Sequence, residues 1–593
     1  MVSVKLGCTK SKNSVTYYVQ RTVRDGKKTV TKNVERLGTI ETVKTRCGDM
    51  DPYVWMKQYV LELTAKEKEG KLPITIQFSA AKSVSRNSRR SVNIGYFVLQ
   101  KLYYSLGLDK VCFHIQDKSK ANFILNDILS ALIYARIIFP GSKRSSLQQA
   151  EKFFEKPDCE LHDVYRALSL LAENNDYFQA QLYKNSKEFI RRNTGVLYYD
   201  CTNYYFETEQ EDDFRRYGCS KEHRPNPVVQ MGLFMDSDGL PLSFSLFEGN
   251  RNEQTSMTPL ERRIVSDFGI RNCVVCTDAG LSSAANRKFN NVPGRGYITT
   301  WSVKKLKGYL KDFCLGETGW RTEGKTKLYS LSEIDALAQD SQTVEQHEIY
   351  SSRIYYKEQW FKDNGMDQRI VITYSVKYKE YQKMLRNRQW ERAEHIANSS
   401  SAISAVFEKN ATSPKRFLKS KSYTSNGEPA DKTEITLNYE QYEKEEQYDG
   451  LYCVCTNLED DVSEIIRINQ RRWEIEESFW ILKSEFKARP VYLSRKERIT
   501  AHFMVCFTAL LIYRLLEKHL EQKYTCKEII TALREMNMLH LEQGYLPEYT
   551  PAQITDDLQK FMGGRTDFEI ITKRNLNKIC SLTKQRKNAT NTA

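Results

Sequence analysis

The sequence lacks a hydrophobic run long enough to cross a lipid bilayer. The apolar run from Phe503 to Tyr513 is shorter than the roughly 20 residues that a membrane-spanning helix needs, and His502 and Arg514 bound it. The opening residues MVSVKLGCTKSKN also lack the apolar segment of a secretory signal. We therefore expect a cytoplasmic chain with no membrane partner, in which residues 503–513 form a core helix.

The sequence also lacks the paired cysteine motifs of a zinc ribbon. Its 14 cysteines are scattered along the chain, and the Cys273–Cys276 CxxC has no second CxxC at ribbon spacing. Cys453 and Cys455 alternate within an apolar strand. We favour buried, reduced thiols over zinc ligands, because free cysteine is among the most buried residue types.

Positive charge is in excess. Lys and Arg number 90 against 75 Asp and Glu, which gives a net charge of +15. Such an excess favours a polyanionic partner through attraction to phosphates, although charge alone does not establish nucleic-acid binding. A chain of 593 residues is also expected to hold several domains.

The amino-terminal third contains two regions with different sequence patterns. Residues 1–90 are a basic β region, with a predicted hairpin from Ser14 to Gly38 around the Asp25–Gly26 turn. Residues 91–193 place apolar side chains at three- and four-residue spacing, which predicts a helical domain.

The rest of the chain predicts an interrupted α/β domain. Residues 194–303 hold three strands and then alternating helix and strand, and the pattern resumes over 448–520 with a strand and a long helix from about Ser463 to Phe486. Residues 304–447 read as an insertion. Residues 521–593 form a carboxyl-terminal region with a disordered tail from Lys584.

Two aspartates lie on separate apolar strands of this pattern. Asp200 lies within LYYDCTNYY, and Asp278 ends the strand VVCTD. A charge at such positions is costly unless it is paired or binds a metal. The period of two places Thr202 on the same face as Asp200, and Ala279-Gly280 allows a tight turn at the strand's carboxyl end, where α/β sheets usually place ligands.

A third acidic residue is selected by its position on the predicted long helix. Spacings of three, four and seven residues put four side chains on one stripe: Asn469, Arg472, Glu476 and Lys483. Glu474 and Glu477 lie about 160° and about 100° away from Glu476 around the helix. Taken alone, this stripe is more typical of a solvated face that carries an ordinary salt bridge, because such spacing is common.

The three carboxylates together suit hard divalent cations, which prefer oxygen ligands. Two Mg²⁺ ions, or Mn²⁺ in their place, can activate a water or a 3′-hydroxyl and stabilise the leaving oxygen of a phosphodiester. Arg472 and Lys483 can hold neighbouring phosphates. Histidine is not needed as a base.

At these residues the chain resembles the DDE transposases of bacterial insertion sequences, in particular the "insertion sequence four" superfamily with its Y-(2)-R-(3)-E-(6)-K signature. The segments that carry the resemblance are LYYDCTNYYFE, CTDAGLSS, YDGLYCVCTN and NQRRWEIEESFWILK. The resemblance covers nearly the whole chain, most clearly residues 195–520.

The resemblance implies a metal-binding catalytic triad of Asp200, Asp278 and Glu476, and phosphate contacts from Arg472 and Lys483. Asn469 stands where the signature has tyrosine, and Thr202 would line the site. A ribonuclease-H-like core interrupted by a β-rich insertion is implied, with DNA binding by residues 91–193. Trp301 is either a base-stacking tryptophan or, as we favour, a core residue.

The function that follows is cut-and-paste transposition in a bacterial, nucleoid-associated setting. A homodimer would hold two terminal inverted repeats and join the freed 3′-hydroxyl to target DNA. Two other functions remain open on the sequence: a nuclease of the same fold that does not join DNA, and a catalytically silent DNA-binding protein.

Overall fold

A computed structural model describes residues 4–11, 14–25, 28–68, 76, 78–81, 83–86, 88–218, 220–221, 224–341, 343–398, 413–423 and 432–586. The chain divides into two compact units. The smaller comprises Met1–Arg90, His540–Leu546 and Glu569–Lys573, and the larger comprises Ser91–Leu539, Pro547–Phe568 and Arg574–Ala593.

The smaller unit contains an antiparallel sheet and two helices. Its elements are β1 (Val4–Lys10), β2 (Val15–Asp25), β3 (Lys28–Gly38), α1 (Ile40–Cys47) and α2 (Pro52–Lys68). Val19 and Leu37 from the sheet pack with Val43 and Met56 from the helices. The two strands of the predicted hairpin are confirmed, and residues 26–27 of its turn lie outside the described residues.

The larger unit begins with the predicted helices. They follow the short strand β4 (Ser91–Asn93) and are α3 (Tyr96–Ser105), α4 (Leu108–Asp117), α5 (Leu125–Ile138), α6 (Lys143–Ala150), α7 (Leu161–Glu173) and α8 (Asn175–Phe189). Helix α5 is buried along most of its length, as its nearly continuous apolar sequence requires.

Nine strands of the larger unit form one mixed sheet. The strands from this part of the chain are β5 (Val196–Tyr205), β6 (Val228–Asp236), β7 (Pro241–Glu248), β8 (Cys273–Thr277), β9 (Arg295–Trp301), β10 (Arg321–Thr322), β11 (Tyr355–Asp363), β12 (Met366–Tyr374), β13 (Leu418–Tyr423), β14 (Lys432–Leu437) and β15 (Leu451–Thr456). The order across the sheet is β10-β11-β12-β15-β9-β8-β5-β6-β7. Strands β5, β6 and β7 are antiparallel neighbours, whereas β8 runs parallel to β5 and β9 parallel to β8.

Helices lie between and after these strands. They are α9 (Met257–Asp267), α10 (Ala284–Phe289), α11 (Gly308–Leu315), α12 (Leu331–Gln339), α13 (Val344–Ser352), α14 (Val376–Ala397), α15 (Tyr439–Glu446), α16 (Val462–Gln470), α17 (Trp473–Trp480) and α18 (Lys496–His519). One π turn, Ile481–Glu485, continues α17. The α/β alternation predicted from 194 to 303 is confirmed element by element.

The segment 304–447 differs from the expected β-rich insertion. It carries the five helices α11–α15 beside its strands, and β10, β11 and β12 continue the main sheet. Its large apolar side chains, among them Trp320, Tyr355 and Ile372, form one core with residues of β9 and β15. The helices α11, α12, α13 and α15 were missed because each has only 8 or 9 residues, too few to show a clear helical period.

The chain ends in α19 (Cys526–Glu535), β16 (Asn537–Leu541), β17 (Gly544–Pro547), α20 (Gln553–Met562) and α21 (Lys573–Thr583). Residues 537–539 of β16 pair antiparallel with β4, so the two ends of the larger unit meet. The tail predicted to be disordered from Lys584 lies largely outside the described residues, which end at 586.

Helix α18 contains the apolar run from Phe503 to Tyr513. The uninterrupted run is short, but the whole helix, unlike the run considered from the sequence, is by length and composition apolar enough to cross a membrane. In the structure 94% of its most apolar window is buried inside the protein. It packs on α3, α5, α7 and β7. Residues 503–513 therefore form a core helix, as predicted.

Candidate active site

The two faces of β5 have different surroundings. Tyr199 and Cys201 face a core formed with Leu260 of α9. On the opposite face, the hydroxyl of Tyr198 donates to the carbonyl of Ile468 in α16 at 2.9 Å. Because side chains alternate along a strand, Asp200 and Thr202 share the face of Tyr198, which α16 and α17 cover.

Asp200 and Asp278 come side by side in the sheet. Strands β5 and β8 are parallel with Tyr199 opposite Thr277, so the next residues of the register are the two aspartates. Neighbouring strands lie about 4.8 Å apart. Two residues that are far apart in sequence thus present adjacent carboxylates at the carboxyl end of β8.

The charge of Asp200 is held in an unfavourable setting. Burial raises the pKa of this carboxyl to about 6; the nearby charge of Lys221 opposes the rise, and that of Asp278 adds to it. The backbone N–H of Cys201 donates to Asp200 Oδ1 at 2.7 Å. A cation between the two aspartates would relieve both burial and repulsion.

Asp278 is fixed by the turn that follows β8. Its Oδ1 accepts a hydrogen bond from the backbone N–H of Leu281 at 3.2 Å, which caps a short helical turn, Ala279–Leu281. Its carbonyl accepts from the hydroxyl of Thr299 on β9 at 3.2 Å. The tight turn predicted from Ala279-Gly280 therefore orients the side chain at the strand end.

The predicted long helix from Ser463 to Phe486 is wrong in one respect: it breaks between α16 and α17. Arg471 ends the first helix and Arg472 precedes the second. Asn469 consequently belongs to another helix than Glu476, although Asn469, Arg472 and Glu476 still line one common space. The apolar periodicity continues through the break, so the sequence pattern did not reveal it.

Arg472 and Glu476 retain the spacing of one helical turn. Arg472 Nη2 lies 3.1 Å from Glu476 Oε1, with 57% of the glutamate side chain exposed. Burial lowers the pKa of Arg472, but Tyr452 and the charges of Glu476, Asp200 and Asp278 outweigh it and leave the pKa raised. The guanidinium thus faces all three carboxylates of the predicted triad.

The neighbouring glutamates have other partners. Glu474 accepts hydrogen bonds from Arg471 at 2.9 and 3.0 Å. Glu477 accepts from Arg514 of α18 at 2.8 Å. Each of these two glutamates thus has an arginine partner other than Arg472.

Lys483 reaches the face of β5 that carries Asp200. Its Nζ donates to Thr202 Oγ1 at 2.6 Å and lies 5.5 Å from the centre of the Tyr204 ring. Burial lowers the pKa of Lys483 to about 8, Lys221 lowers it further, and Asp200 opposes the shift. Thr202 thus holds a lysine whose charge is poorly solvated.

Asn469 is buried, with 8% of its surface exposed. Its side-chain amide donates to the hydroxyl of Tyr452 at 3.1 Å, and that hydroxyl also lies 2.8 Å from Thr300 Oγ1. In this geometry Asn469 positions Tyr452, which stands beside Arg472.

The family described as the transposase DDE domain matches residues 193–512, more than half of the 593-residue chain. The chain belongs to the transposase DDE domain family. The match spans β5 to α18 and therefore includes Asp200, Asp278, Arg472, Glu476 and Lys483.

Other comparisons with this DDE transposase are more distant. A search of curated proteins found no match. A piggyBac transposase synaptic complex with hairpin DNA has a TM-score of 0.35 at 10% identity, covering 84% of this chain and 88% of that chain. The Drosophila P element transposase strand transfer complex has a TM-score of 0.17 at 12% identity, covering 82% and 98%.

The DDE domain offers an incomplete fit to a divalent cation. Asp200 and Asp278 suit a hard cation in both ligand type and placement. Glu476 instead pairs with Arg472. Across the described ranges, no group of three or more His, Cys, Asp or Glu side chains is placed to hold a metal. Two of the three carboxylates fit, and the third would have to leave Arg472.

Several residues at the DDE site were missed from the sequence. Lys221 donates to the carbonyl of Cys201 at 2.6 Å and lies 3.8 Å from Glu253. Its place in a basic loop gave a weak signal. Tyr452 gave none, because it reads as an ordinary strand residue and reaches the site only through the pairing of β15 with β9.

A cavity of about 570 Å³ adjoins the Arg472–Glu476 pair. Besides those two residues, aromatic side chains contribute to its wall: Tyr378, Tyr381, Tyr452 and Trp473. Trp301 stands elsewhere, packed against the core of β9 to β12 with the guanidinium of Arg287 4.7 Å from its ring centre.

Proposed function

We propose that this DDE transposase cleaves DNA at the ends of a mobile element and joins the freed 3′-hydroxyl to target DNA, using Asp200, Asp278 and Glu476 with divalent metal. The observation that carries the proposal is the placement of Asp200 and Asp278 at adjacent register positions of parallel strands. A desolvated carboxylate beside a second like charge is costly without a cation.

We also propose that β5 to β9 form a ribonuclease-H-like core. The order β7-β6-β5-β8-β9, with three antiparallel strands followed by two parallel ones, supports this assignment. In such a core the first and fourth strands carry adjacent carboxylates, which are Asp200 and Asp278 here.

The cationic side chains are assigned to the DNA backbone. Arg472, close to all three carboxylates, would hold the phosphate that reacts, and its planar fork suits two phosphate oxygens. Lys483, held by Thr202, would hold a neighbouring phosphate, whose charge would restore its full protonation. Two Mg²⁺ ions, or Mn²⁺, would activate the attacking oxygen and stabilise the leaving one.

The aromatic cavity is suited to bind a single-stranded or distorted DNA end. Its volume of about 570 Å³ and its tyrosine and tryptophan walls offer stacking surfaces for an unpaired base. Because Glu476 and Arg472 line the same cavity, a base held there would place its own phosphate near the carboxylates.

The finer assignment is to the "insertion sequence four" superfamily of bacterial elements. The R-(3)-E-(6)-K spacing of Arg472, Glu476 and Lys483 supports it, while Asn469 replaces the signature tyrosine. We propose further that residues 91–193 bind DNA, that two copies hold two terminal inverted repeats, and that the protein works in the bacterial cytoplasm at the nucleoid.

The test is cleavage of DNA that carries the ends of the coding element, in Mg²⁺ or Mn²⁺. Asp278→Asn is expected to reduce cleavage by about 10³-fold or more, as loss of a central catalytic group does. Asp367→Asn, at an exposed position of β12, is the matched control and should cleave normally. Cleavage by Asp278→Asn at the unmodified rate would overturn the assignment.

Pre-cleaved ends test the joining step separately. Products joined to target DNA are expected with the unmodified chain. Hydrolysis without such products would identify a nuclease, and salt-sensitive binding without cleavage in Mn²⁺ would identify a silent DNA-binding protein.

A further inference from the structure

A second cavity, of about 550 Å³, lies among α5, α6, α7 and the segment after the π turn. Its wall carries five cationic side chains: Arg136, Lys143, Arg144, Lys487 and Arg489. None of the residues that the structure places in this wall is acidic. A cavity whose described wall carries cationic side chains and no acidic ones favours an anionic occupant.

Among these residues, Lys143 gives the strongest indication of a bound anion. It is 4% exposed, and its Nζ has no hydrogen-bond partner among the described residues. Burial lowers its pKa to about 7, and the neighbouring charge of Arg136 lowers it further. A buried ammonium group is costly unless it is paired, so an anion at this position would supply the missing partner.

Arg136 differs because it already has a structural role. Its guanidinium donates to the carbonyls of Phe486, Lys487 and Gly141 at 3.0, 3.2 and 2.9 Å. These bonds fasten the loop after the π turn to α5 and keep a second buried positive charge beside Lys143. The loop carries Lys487 and Arg489 into the cavity wall.

The start of α6 adds a third contribution. Ser142, Lys143 and Arg144 line the cavity, and Ser142 caps this eight-residue helix by accepting from the backbone N–H of Ser145 at 3.2 Å. The amino terminus of a helix carries a partial positive charge that favours phosphate. A buried unpaired lysine, surrounding cations and a helix start thus converge on one space.

We infer that this cavity binds a backbone phosphate of the DNA away from the reacting phosphate, through Lys143, Arg144 and Arg489. The inference rests on the proposed function for its choice of DNA as the source of the phosphate. The chemistry itself, anionic phosphate oxygens, is shared by the monoanionic phosphodiesters of DNA and by free phosphate compounds.

The fold separates this cavity from the carboxylates of the candidate active site. The guanidinium of Arg489 lies 5.8 Å from the ring centre of Tyr205, five residues after Asp200 on β5. A strand rises about 3.3 Å per residue, so the cavity begins about 17 Å from Asp200. The phosphate bound there is therefore a different one from the phosphate that reacts.

The first experiment measures DNA binding by the full chain in EDTA at several salt concentrations. Lys143→Met is expected to weaken binding about 3- to 10-fold and to reduce the slope of log affinity against log salt by about one. Arg144→Gln, an exposed change that spares the core, should act in the same direction. Lys110→Met, an exposed lysine of α4, is the matched control and should have little effect.

Folding is checked by thermal unfolding in phosphate-free buffer. Because Lys143→Met removes a buried unpaired charge, its Tm is expected to exceed that of the unmodified chain. If both cavity variants bind DNA with unchanged affinity and salt slope while the unmodified chain cleaves normally, the inference is overturned and the proposed function stands.

A single-phosphate test assigns the position. In a set of DNAs that each carry one neutral methylphosphonate away from the cleavage position, at least one should bind the unmodified chain more weakly, and Lys143→Met should show no such loss with that DNA. An equal loss in both proteins would overturn the assignment.

Inorganic phosphate separates the two sources. If it raises the Tm of the unmodified chain but not of Lys143→Met, while DNA binding is the same in both, the occupant is a free phosphate compound and the DNA assignment is overturned. If the unmodified chain binds DNA through Lys143 but never cleaves it, the proposed function fails and the phosphate site is supported.

Discussion

Two groups of cations in the larger unit differ in their counter-charges. At the DDE site, Arg472 faces Glu476, Asp200 and Asp278, so its charge is balanced inside the protein. In the second cavity, Lys143 is buried among other cations, and the part of the wall that the structure describes contains no acid. The first arrangement suits a position where carboxylates, metal and phosphate must meet, and the second suits a phosphate alone.

The largest expected effect comes from removing the positive charge of Arg472, which balances the carboxylates at the DDE site. Arg472→Ala should reduce DNA cleavage by about 10²-fold or more, because it removes the cation that faces all three carboxylates and would hold the reacting phosphate. Single-turnover cleavage measures the effect. Arg472→Lys keeps the charge but not the two-pronged contact, and we expect an intermediate rate. Equal rates for Arg472→Ala and the unmodified chain would contradict this role.

A smaller effect concerns the stability cost of Asp200. Its folded-state pKa, about 6, lies above its ordinary value of 3.8. The native state is therefore favoured at low pH, and that contribution is lost as the pH rises through about 6. At pH 7 without metal, Asp200→Asn should be more stable by about 1–3 kcal/mol, and the difference should disappear near pH 4. Thermal unfolding against pH checks this, and a constant difference would argue against a buried charge.

The smallest effect concerns the bond from Lys483 to Thr202. Thr202→Val keeps the side-chain shape but removes the acceptor that lies 2.6 Å from Nζ. The free energy of unfolding should fall by about 1 kcal/mol in urea denaturation. In a cycle with Lys483→Met, the double variant should lose less than the sum of the single variants. Additive losses would show that the two side chains do not depend on each other.

Most strands around the candidate site could be predicted, because each strand is marked by a local run of apolar residues. The run from Val228 to Asp236 and the strand before Asp278 are apolar, bounded by turn residues, and match β6 and β8. Adjacency of Asp200 and Asp278 required the parallel pairing of β5 with β8, which sequence order suggests but does not define.

The less predictable features depend on long-range contacts. The break after Gln470 leaves no trace in the apolar pattern. The approach of Tyr452 to Asn469 depends on the order of β12, β15 and β9 in the sheet. The cavity around Lys143 likewise combines α5 and α6 with a loop more than three hundred residues later. None of these contacts is encoded by local spacing.

We propose that Asp200 and Asp278 form one metal site. Measuring Mn²⁺ binding by calorimetry tests this directly. Asp200→Asn and Asp278→Asn should each weaken Mn²⁺ binding by about 10-fold or more, and the double variant should bind scarcely less than either single one. Mn²⁺ affinity that is unchanged in both single variants, or losses that simply add, would contradict a shared site.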